Sequence, residues 1–186
     1  MSDSPANHLK ITTPRLTLIA ATPEMVGAEM HDRALLSSLL GAGVPANWPP
    51  GFNDLETMTY TLRQLEGRPE QIGWWMWYFI KRGAEGETKS ESILIGNGGF
   101  KGQLDNQGCA EVGYSVLPEF QRQGYGSEAL AALVKWAFTQ GAQSVIAETL
   151  PELVASIGLL EKNGFVFVGE GSEEGVIRYQ KKKDGE

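Results

Sequence analysis

The spacing of apolar residues along the first two thirds of the chain predicts strands and two helices. Apolar and polar residues alternate over residues 9–20, with Leu16 and Leu18 on one face, as is typical of a strand. Residues 22–40 predict a helix that begins at Thr22-Pro23-Glu24, because a hydroxyl cap, an early proline and an early acid favour a helix start. A second helix is predicted at 54–66. Three strands follow at 73–81, 93–101 and 109–117, with a hairpin loop predicted at 83–92.

After Pro118 the pattern changes to alternating helices and strands. Residues 126–140 and 152–163 predict helices, the second ending at Asn163-Gly164, and residues 144–149, 165–168 and 176–180 predict strands. This order indicates an α/β fold of the α+β type, in which helices flank one mixed sheet. With no linker or repeat in it, the chain is predicted to be a single domain over residues 1–186, with a flexible N-terminus at 1–8 and a tail at 182–186.

Composition narrows the range of functions. The net charge of −7 argues against broad binding to nucleic acid, which depends on clustered Lys and Arg. No apolar stretch reaches the roughly 18 residues of a membrane helix, so no membrane partner is predicted. The polar start and the single cysteine, Cys109, indicate a cytoplasmic protein without a disulfide framework. The two histidines, His8 and His31, leave no plausible metal cluster or nucleophile triad. The predicted chemistry therefore uses no metal.

A glycine-containing turn, Gln121-Arg122-Gln123-Gly124-Tyr125-Gly126-Ser127, links a predicted strand to a predicted helix. The start of a helix offers unpaired N–H groups and positive partial charge, and glycines allow a diphosphate to approach the backbone closely. A plain strand-to-helix turn is the alternative. The turn lacks the Gly-Lys-Ser/Thr of nucleotide hydrolases and the three-glycine dinucleotide fingerprint.

The run from Pro118 to Gly126 resembles motif A of the GNAT superfamily of N-acetyltransferases. The segment from Ala155 through Glu161-Lys162-Asn163-Gly164-Phe165 resembles motif B of that superfamily and its EK-x-GF ending. Thr13-Pro14-Arg15-Leu16 and Trp48-Pro49-Pro50 resemble features of its ribosomal-protein-acetyltransferase-like branch. Three motifs in the same order are far more specific than one.

This resemblance implies the GNAT fold, with two parallel central strands that splay apart, and acetyl-CoA as the co-substrate. The pantetheine arm is expected against the main chain of Tyr114, Ser115 and Val116. The pyrophosphate is expected at the amides from Arg122 to Ser127, where Gln121 marks the start of the loop and braces it. The residues of the expected cofactor loop are Gln121, Arg122, Gln123, Gly124, Tyr125, Gly126 and Ser127.

The resemblance also implies direct acetyl transfer, without an acyl-enzyme, to a primary amine such as a protein N-terminus or a small amine. Glu111 and Glu148 are the candidate bases, each with a structural ion pair or a solvated position as the alternative. Ser156 is the first candidate donor to the leaving sulfur, unless it bonds back into its own helix, and Tyr114 and Tyr125 are weaker candidates. Two positions depart from the family pattern, since Leu160 replaces the usual tyrosine and Leu153 a frequent asparagine.

Those two departures keep a second function open, a catalytically weak module that holds acyl-CoA as a sensor or scaffold. The aromatic strand leaves a further choice, because its side chains could line an acceptor pocket or belong to the core. The aromatic residues in question are Trp74, Trp75, Trp77 and Phe79, with Trp48 in a nearby loop. The acceptor, the acyl chain length and the oligomeric state, a homodimer included, are left open by the sequence.

Overall fold

The computed structural model describes residues 8–51, 54–83 and 92–183. The predicted flexible N-terminus, the hairpin loop at 83–92 and the C-terminal tail lie wholly or mostly outside these residues. The strands are β1 (Lys10–Thr12), β2 (Leu16–Ala20), β3 (Met76–Lys81), β4 (Ile93–Phe100), β5 (Cys109–Val116), β6 (Ser144–Thr149), β7 (Val166–Glu170) and β8 (Ile177–Lys182). The helices are α1 (Pro23–His31), α2 (Arg33–Leu40), α3 (Leu55–Leu65), α4 (Tyr125–Thr139) and α5 (Val154–Lys162), with short 3-10 turns at Pro69–Gln71 and Pro118–Phe120.

All eight strands join one sheet in the order β1-β2-β3-β4-β5-β6-β8-β7. The pair β5 and β6 is parallel and every other neighbouring pair is antiparallel. This is the mixed sheet that the order of elements predicted, and the α/β fold class is confirmed.

A hydrophobic core lies on each face of the sheet. On one face α4 and α5 cover a cluster that includes Leu133, Val145 and Phe165, and on the other α1, α2 and α3 cover a cluster around Met25 and Leu36. A sheet covered on both faces explains why β3 is buried along almost its whole length. Trp74, Trp77 and Phe79 therefore belong to the core.

Two predicted elements are each divided in the structure. The single strand predicted at residues 9–20 is wrong, because the turn at Thr13-Pro14-Arg15 separates β1 from β2; the Thr13 hydroxyl accepts a hydrogen bond from the Leu16 amide at 3.0 Å and fixes that turn. The single helix predicted at 22–40 is also wrong. Asp32 has non-helical dihedral angles, ends α1, and caps α2 by accepting from the Leu35 amide at 3.0 Å.

No helix within the described ranges combines the length and the apolar character that crossing a bilayer would require.

Candidate active site

The two parallel strands part after a short stretch of pairing. Cys109–Glu111 of β5 pairs with residues 144–146 of β6, but within these two described strands the ladder does not continue to Val116 and Thr149. The β6-facing edge of β5 is thus left without a strand partner. Such an edge offers backbone N–H and C=O groups to an extended ligand. The splayed strands expected from the resemblance are present.

The loop that follows β5 has the backbone of an anion cradle. Gly124, the residue before α4, has φ of 86°, and Arg122 has φ of 61°, a left-handed conformation that is uncommon outside glycine. Left-handed residues next to a helix start turn successive N–H groups toward one point, which suits an anion. A Cβ atom at Gly126 would lie 3.0 Å from Cδ1 of Leu159, so glycine is also needed there for α4 to approach α5.

Helix capping distinguishes α4 and α5 from the other helices. The side chains of Thr22, Asp32 and Asp54 cap α1, α2 and α3, whereas at α4 and α5 no side-chain hydrogen bond from the capping residue, Gly124 or Leu153, caps the helix start. Unused N–H donors at a helix start favour an anionic ligand. The glutamine side chains of the loop do not occupy these donors, because Gln121 donates to the Val116 carbonyl and Gln123 to the Glu119 carbonyl, each at 2.8 Å.

A cavity of about 470 Å³, here called the α4–α5 cavity, lies between this loop, the free edge of β5 and the start of α5. Its walls include Arg122 and Lys162, and neither cation forms an ion pair with a residue that the structure describes. The remainder is largely apolar and includes Val116, Leu153 and Leu159. An elongated ligand with an anionic group near the loop and a less polar arm along β5 fits these walls. Gln123 and Tyr125 of the predicted loop do not line it.

The β1–β2 turn holds the loop from behind. Nε of Arg15 lies 2.7 Å from Oε2 of Glu128, Nη1 donates to the Gln123 carbonyl at 2.9 Å, and the guanidinium lies 4.4 Å from the centre of the Tyr125 ring. The Thr13 hydroxyl donates to the same glutamate at 2.6 Å. Burial acts to raise the pKa of Glu128, but these hydrogen bonds and the arginine charge outweigh it and hold that pKa below its ordinary value.

Ser156 faces Tyr114 across the point where the strands part. Oγ of Ser156 lies 3.3 Å from the Tyr114 hydroxyl, and among the described residues it has no hydrogen bond to a main-chain carbonyl, those of Glu152 and Leu153 one turn earlier included. The alternative that Ser156 bonds back into its own helix is therefore wrong. Leu160, at the position of the usual tyrosine, is a fully buried core residue, so it supplies no polar group to the cavity.

Glu111 and Glu148 lie on one face of the sheet, since Glu111 pairs with Ile146, two residues before Glu148 on β6. Glu111 forms an ion pair with Lys101, whose side chain is 66% exposed. Glu148 is more enclosed, with 8% of its side chain exposed.

Four hydrogen bonds hold the Glu148 carboxylate. The Ser172 amide and hydroxyl donate at 2.9 and 2.6 Å, and Nε and Nη2 of Arg178 donate at 2.9 and 2.6 Å. Burial acts to raise the pKa of Glu148, but these donors and the guanidinium charge together place that pKa below its ordinary value. The sequence left a base, a structural ion pair and a solvated position open for Glu148, and the structure shows an ion pair with Arg178.

A second cavity of about 650 Å³, here called the α3 cavity, lies on the other side of β5. Tyr60 and Trp75 form one wall, with ring centres 5.5 Å apart and the rings nearly perpendicular. Asn97 and Lys101 supply polar groups. The two cavities share Tyr114 and Ser115 in their walls, so they meet at this point of β5.

The predicted residues thus fall into two groups. Tyr114, Ser115 and Val116, several residues of the 121–127 loop and Ser156 come together around the α4–α5 cavity, whereas Glu111 and Glu148 lie apart from its walls. Sequence reasoning missed the roles of Arg15 and Glu128, and for the α3 cavity it anticipated only that the aromatic strand could line a pocket, as Trp75 does. The Thr13-Pro14-Arg15 motif was a usable signal for the first. For the second, the aromatic strand indicated Trp75, but nothing in the spacing of residues 51–101 indicated the other walls.

Known proteins resemble this chain in sequence and in fold. Residues 30–166 match the family described as acetyltransferase (GNAT) domain. Two curated proteins of Bacillus subtilis (strain 168) are similar: the uncharacterized N-acetyltransferase YoaA, 29% identical over 161 residues (83% of this chain and 88% of that protein), and YjdG, described in the same way, 26% identical over 168 residues (90% and 91%).

Solved structures share the fold at lower identity. The ribosomal-protein-S5-alanine acetyltransferase from Vibrio fischeri has a TM-score of 0.64 and 18% identity over 95% of this chain and 97% of that one. The RimL ribosomal L7/L12 alpha-N-protein acetyltransferase in complex with coenzyme A has a TM-score of 0.62 and 20% identity over 94% and 98%.

Proposed function

The chain belongs to the GNAT acetyltransferase domain family and is an acetyl-CoA-dependent acetyltransferase, and from this premise we propose how its two cavities divide the reaction. The α4–α5 cavity holds acetyl-CoA, and the α3 cavity receives a primary amine, such as a protein N-terminus or a small amine. The observation that carries the proposal is the contact between the cavities at Tyr114 and Ser115. A donor and an acceptor that enter from opposite sides of β5 can meet only there, as direct transfer requires.

The fit to acetyl-CoA rests on charge and on space. The uncapped start of α4 and the side chains of Arg122 and Lys162 offer donors and positive charge to a pyrophosphate. The free edge of β5 offers backbone groups to the amides of a pantetheine arm. Gly124 and Gly126 keep the approach to the backbone open. Acetyl-CoA itself supplies the activated acetyl group as a thioester.

We assign the base to Glu111. Its side chain lies on the same face of β5 as Gly113 and Ser115, which border the α3 cavity. A Cβ atom at Gly113 would meet nothing within 4 Å, so open space lies beside the strand between Glu111 and Ser115. The carboxylate can take a proton from the incoming ammonium there, directly or through a water molecule. Lys101 is exposed and long, so its ion pair with Glu111 can open at little cost.

Glu148 is assigned a structural role in the same scheme. Ser172 and Arg178 donate all four of its hydrogen bonds. These contacts join the β7–β8 turn and β8 to β6. A carboxylate engaged in this way, with its pKa lowered, is a poor proton acceptor. Ser156, at the first turn of α5 and in the wall of the α4–α5 cavity, is the proposed donor to the leaving sulfur.

The acceptor class follows from the α3 cavity. Its described lining includes four aromatic side chains (Tyr60, Trp75, Phe100 and Tyr114), polar uncharged groups and Lys101, but no carboxylate, since the proposed base Glu111 lies outside the lining. A compound with several positive charges gains nothing from such walls, whereas the amino end of a peptide or a small amine with an apolar neighbouring group fits them.

The test combines binding with turnover. Calorimetry should show binding of acetyl-CoA and CoA but not of ATP or NAD, and thiol release should be followed over peptide N-termini, small apolar amines and polyamines. We expect Glu111→Gln to lower kcat by about 10²-fold or more and Glu148→Gln to leave kcat within about threefold at a temperature where both variants are folded. Binding of ATP in place of CoA would overturn the donor assignment. Full turnover by Glu111→Gln would overturn the assignment of the base. A preference for polyamines would overturn the proposed acceptor class. CoA binding without turnover on any amine would favour the sensor or scaffold reading.

A further inference from the structure

Tyr114 and Ser156 form a polar pair between β5 and α5. Tyr114 is half-buried on β5, Ser156 lies in the first turn of α5, and their hydroxyl oxygens are 3.3 Å apart. Both side chains line the α4–α5 cavity, and Tyr114 lines the α3 cavity as well. The pair therefore stands where the two substrates meet in the proposed function, and the inference below rests on that function.

The direction of the hydrogen bond follows from the two groups. Burial raises the pKa of the Tyr114 phenol, so its proton stays on at neutral pH. A phenol is a stronger acid than an aliphatic alcohol, so the Tyr114 O–H donates and Oγ of Ser156 accepts. The hydrogen of the Ser156 hydroxyl is then free to point into the cavity, because Oγ has no carbonyl partner among the described residues of α5.

We propose that Tyr114 is a positioning residue for the leaving group: its hydroxyl holds Ser156 so that the Ser156 O–H donates to the sulfur of coenzyme A. As the amine nitrogen bonds to the acetyl carbon, the carbon–sulfur bond breaks and its electron pair stays on sulfur. Ser156 stabilises the thiolate by a hydrogen bond, which is strong because the acceptor is charged. The ammonium loses two protons to become the amide, the thiolate gains one from water, and one proton is released.

This arrangement gives the chain a substitute for the tyrosine that Leu160 replaces. The core position of Leu160 on α5 cannot reach the sulfur with a polar group. Tyr114 on β5 supplies a tyrosine hydroxyl instead, which contacts Ser156 and acts on the sulfur only through that serine. The phenol holds the serine hydroxyl in place without itself giving up a proton, which suits a half-buried tyrosine whose pKa is raised.

The decisive measurement needs no acceptor. Free CoA carries the thiol, and the ultraviolet absorbance of its thiolate reports ionisation of the bound thiol as the pH is raised. We expect the ionisation constant of bound CoA to fall about tenfold in Ser156→Ala and severalfold in Tyr114→Phe, because each removes support from the thiolate. The double variant should match Ser156→Ala, since Tyr114 acts only through the serine.

Tyr179→Phe is the matched control, because Tyr179 is also buried and also loses a hydroxyl contact, to Glu161 at 3.4 Å, but lies outside both cavities. It should leave the thiol ionisation unchanged. Unchanged ionisation in Tyr114→Phe, or losses that multiply in the double variant, would overturn the role of Tyr114 while the proposed function stands. Failure of the wild-type protein to bind CoA would overturn both. Thermal melting of each variant identifies a loss that comes from unfolding.

Discussion

Arg15 and Glu128, 113 positions apart in the chain, are joined by a hydrogen bond from the Arg15 amide at 2.8 Å and by an ion pair from its guanidinium at 2.7 Å. The contact fastens the β1–β2 turn to the first turn of α4, directly behind the loop that is proposed to bind pyrophosphate. Because Nη1 of the same guanidinium also holds the Gln123 carbonyl, one side chain fixes both the loop and the helix that follows it.

Replacing Arg15 should therefore weaken cofactor binding. Lysine can form one of the two contacts but not both, so we expect Arg15→Lys to raise the Kd for acetyl-CoA about tenfold, because the loop must be ordered on binding. Calorimetry measures the Kd, and Arg68→Lys is the control, because the exposed Arg68 side chain donates to the Gln64 side chain at 3.0 Å and lines neither cavity. If Arg15→Lys lowered the melting temperature but left the Kd unchanged, Arg15 would contribute to the stability of the fold and not to cofactor binding.

Gly124 gives a second test of the loop. Its φ of 86° strains any other residue, and a Cβ atom there would lie 3.1 Å from Nη2 of Arg15. Gly124→Val should raise the Kd for acetyl-CoA by at least about tenfold, because the amides of the loop would have to move. Gly141→Val is the matched control, with φ of 99° and open space around it, on the far end of α4. Equal losses of CoA affinity in the two variants would point to general instability.

Gly113 and Gly158 allow each cavity to be filled separately. Neither has a left-handed φ, and a Cβ atom at either would meet nothing within 4 Å, so both should accept a side chain without unfolding. Gly113 lines the α3 cavity and Gly158 the α4–α5 cavity. We expect Gly113→Val to raise the amine KM about tenfold with little change in the Kd for acetyl-CoA. Gly158→Val should raise the Kd for acetyl-CoA about tenfold with little change in the amine KM. If both variants weakened the same substrate, the division of the cavities would be wrong.

The pKa of Glu148 predicts how stability depends on pH. Its pKa is below the ordinary value of 4.5, so the unfolded state binds the proton more tightly than the folded state does. The stabilisation by Glu148 is thus fully present above pH 4.5 and is lost as the pH falls through the folded-state pKa. Glu128, whose pKa is also lowered, acts in the same direction.

Urea unfolding at a series of pH values measures this effect. Glu148→Gln should lower the free energy of unfolding near neutral pH by about 1–3 kcal/mol and make it less sensitive to acid, because the charged hydrogen bonds are gone. Glu170→Gln, at an exposed position of β7, should change neither quantity. A wild-type acid profile that persists unaltered in Glu148→Gln would mean that other groups cause it.

Sequence reasoning was most successful where a feature lies within one stretch of chain. The glycines at 124 and 126, the strand before them and the helix after them are neighbours in sequence, and residue type there reflects backbone geometry directly. The divided elements were also locally encoded, in Pro14 and in the capping residue Asp32, but the apolar pattern ran across both points and outweighed them.

Contacts between distant segments could not be predicted in this way. Glu148 meets Arg178 because β6 and β8 are paired, and Ser172 because the β7–β8 turn folds over the strand. The residues around position 148 imply neither partner, so the sequence left both a catalytic base and a structural ion pair open. The α3 cavity had the same difficulty, since α3, β4 and β5 build it together and its polar residues are unremarkable in each segment.

The order of the walls along the chain has a consequence for how this enzyme can diverge. The described walls of the α3 cavity come from residues 51–101 and 113–115, and those of the α4–α5 cavity come from residues 114–162. Recombination between the two segments would replace the specificity for the amine acceptor and keep the specificity for the acyl donor, or the reverse. Among the described residues, only Tyr114 and Ser115 line both cavities. Substitutions elsewhere in the first segment can therefore change the acceptor specificity without changing acetyl-CoA binding. A substitution at Tyr114 or Ser115 affects both substrates at once.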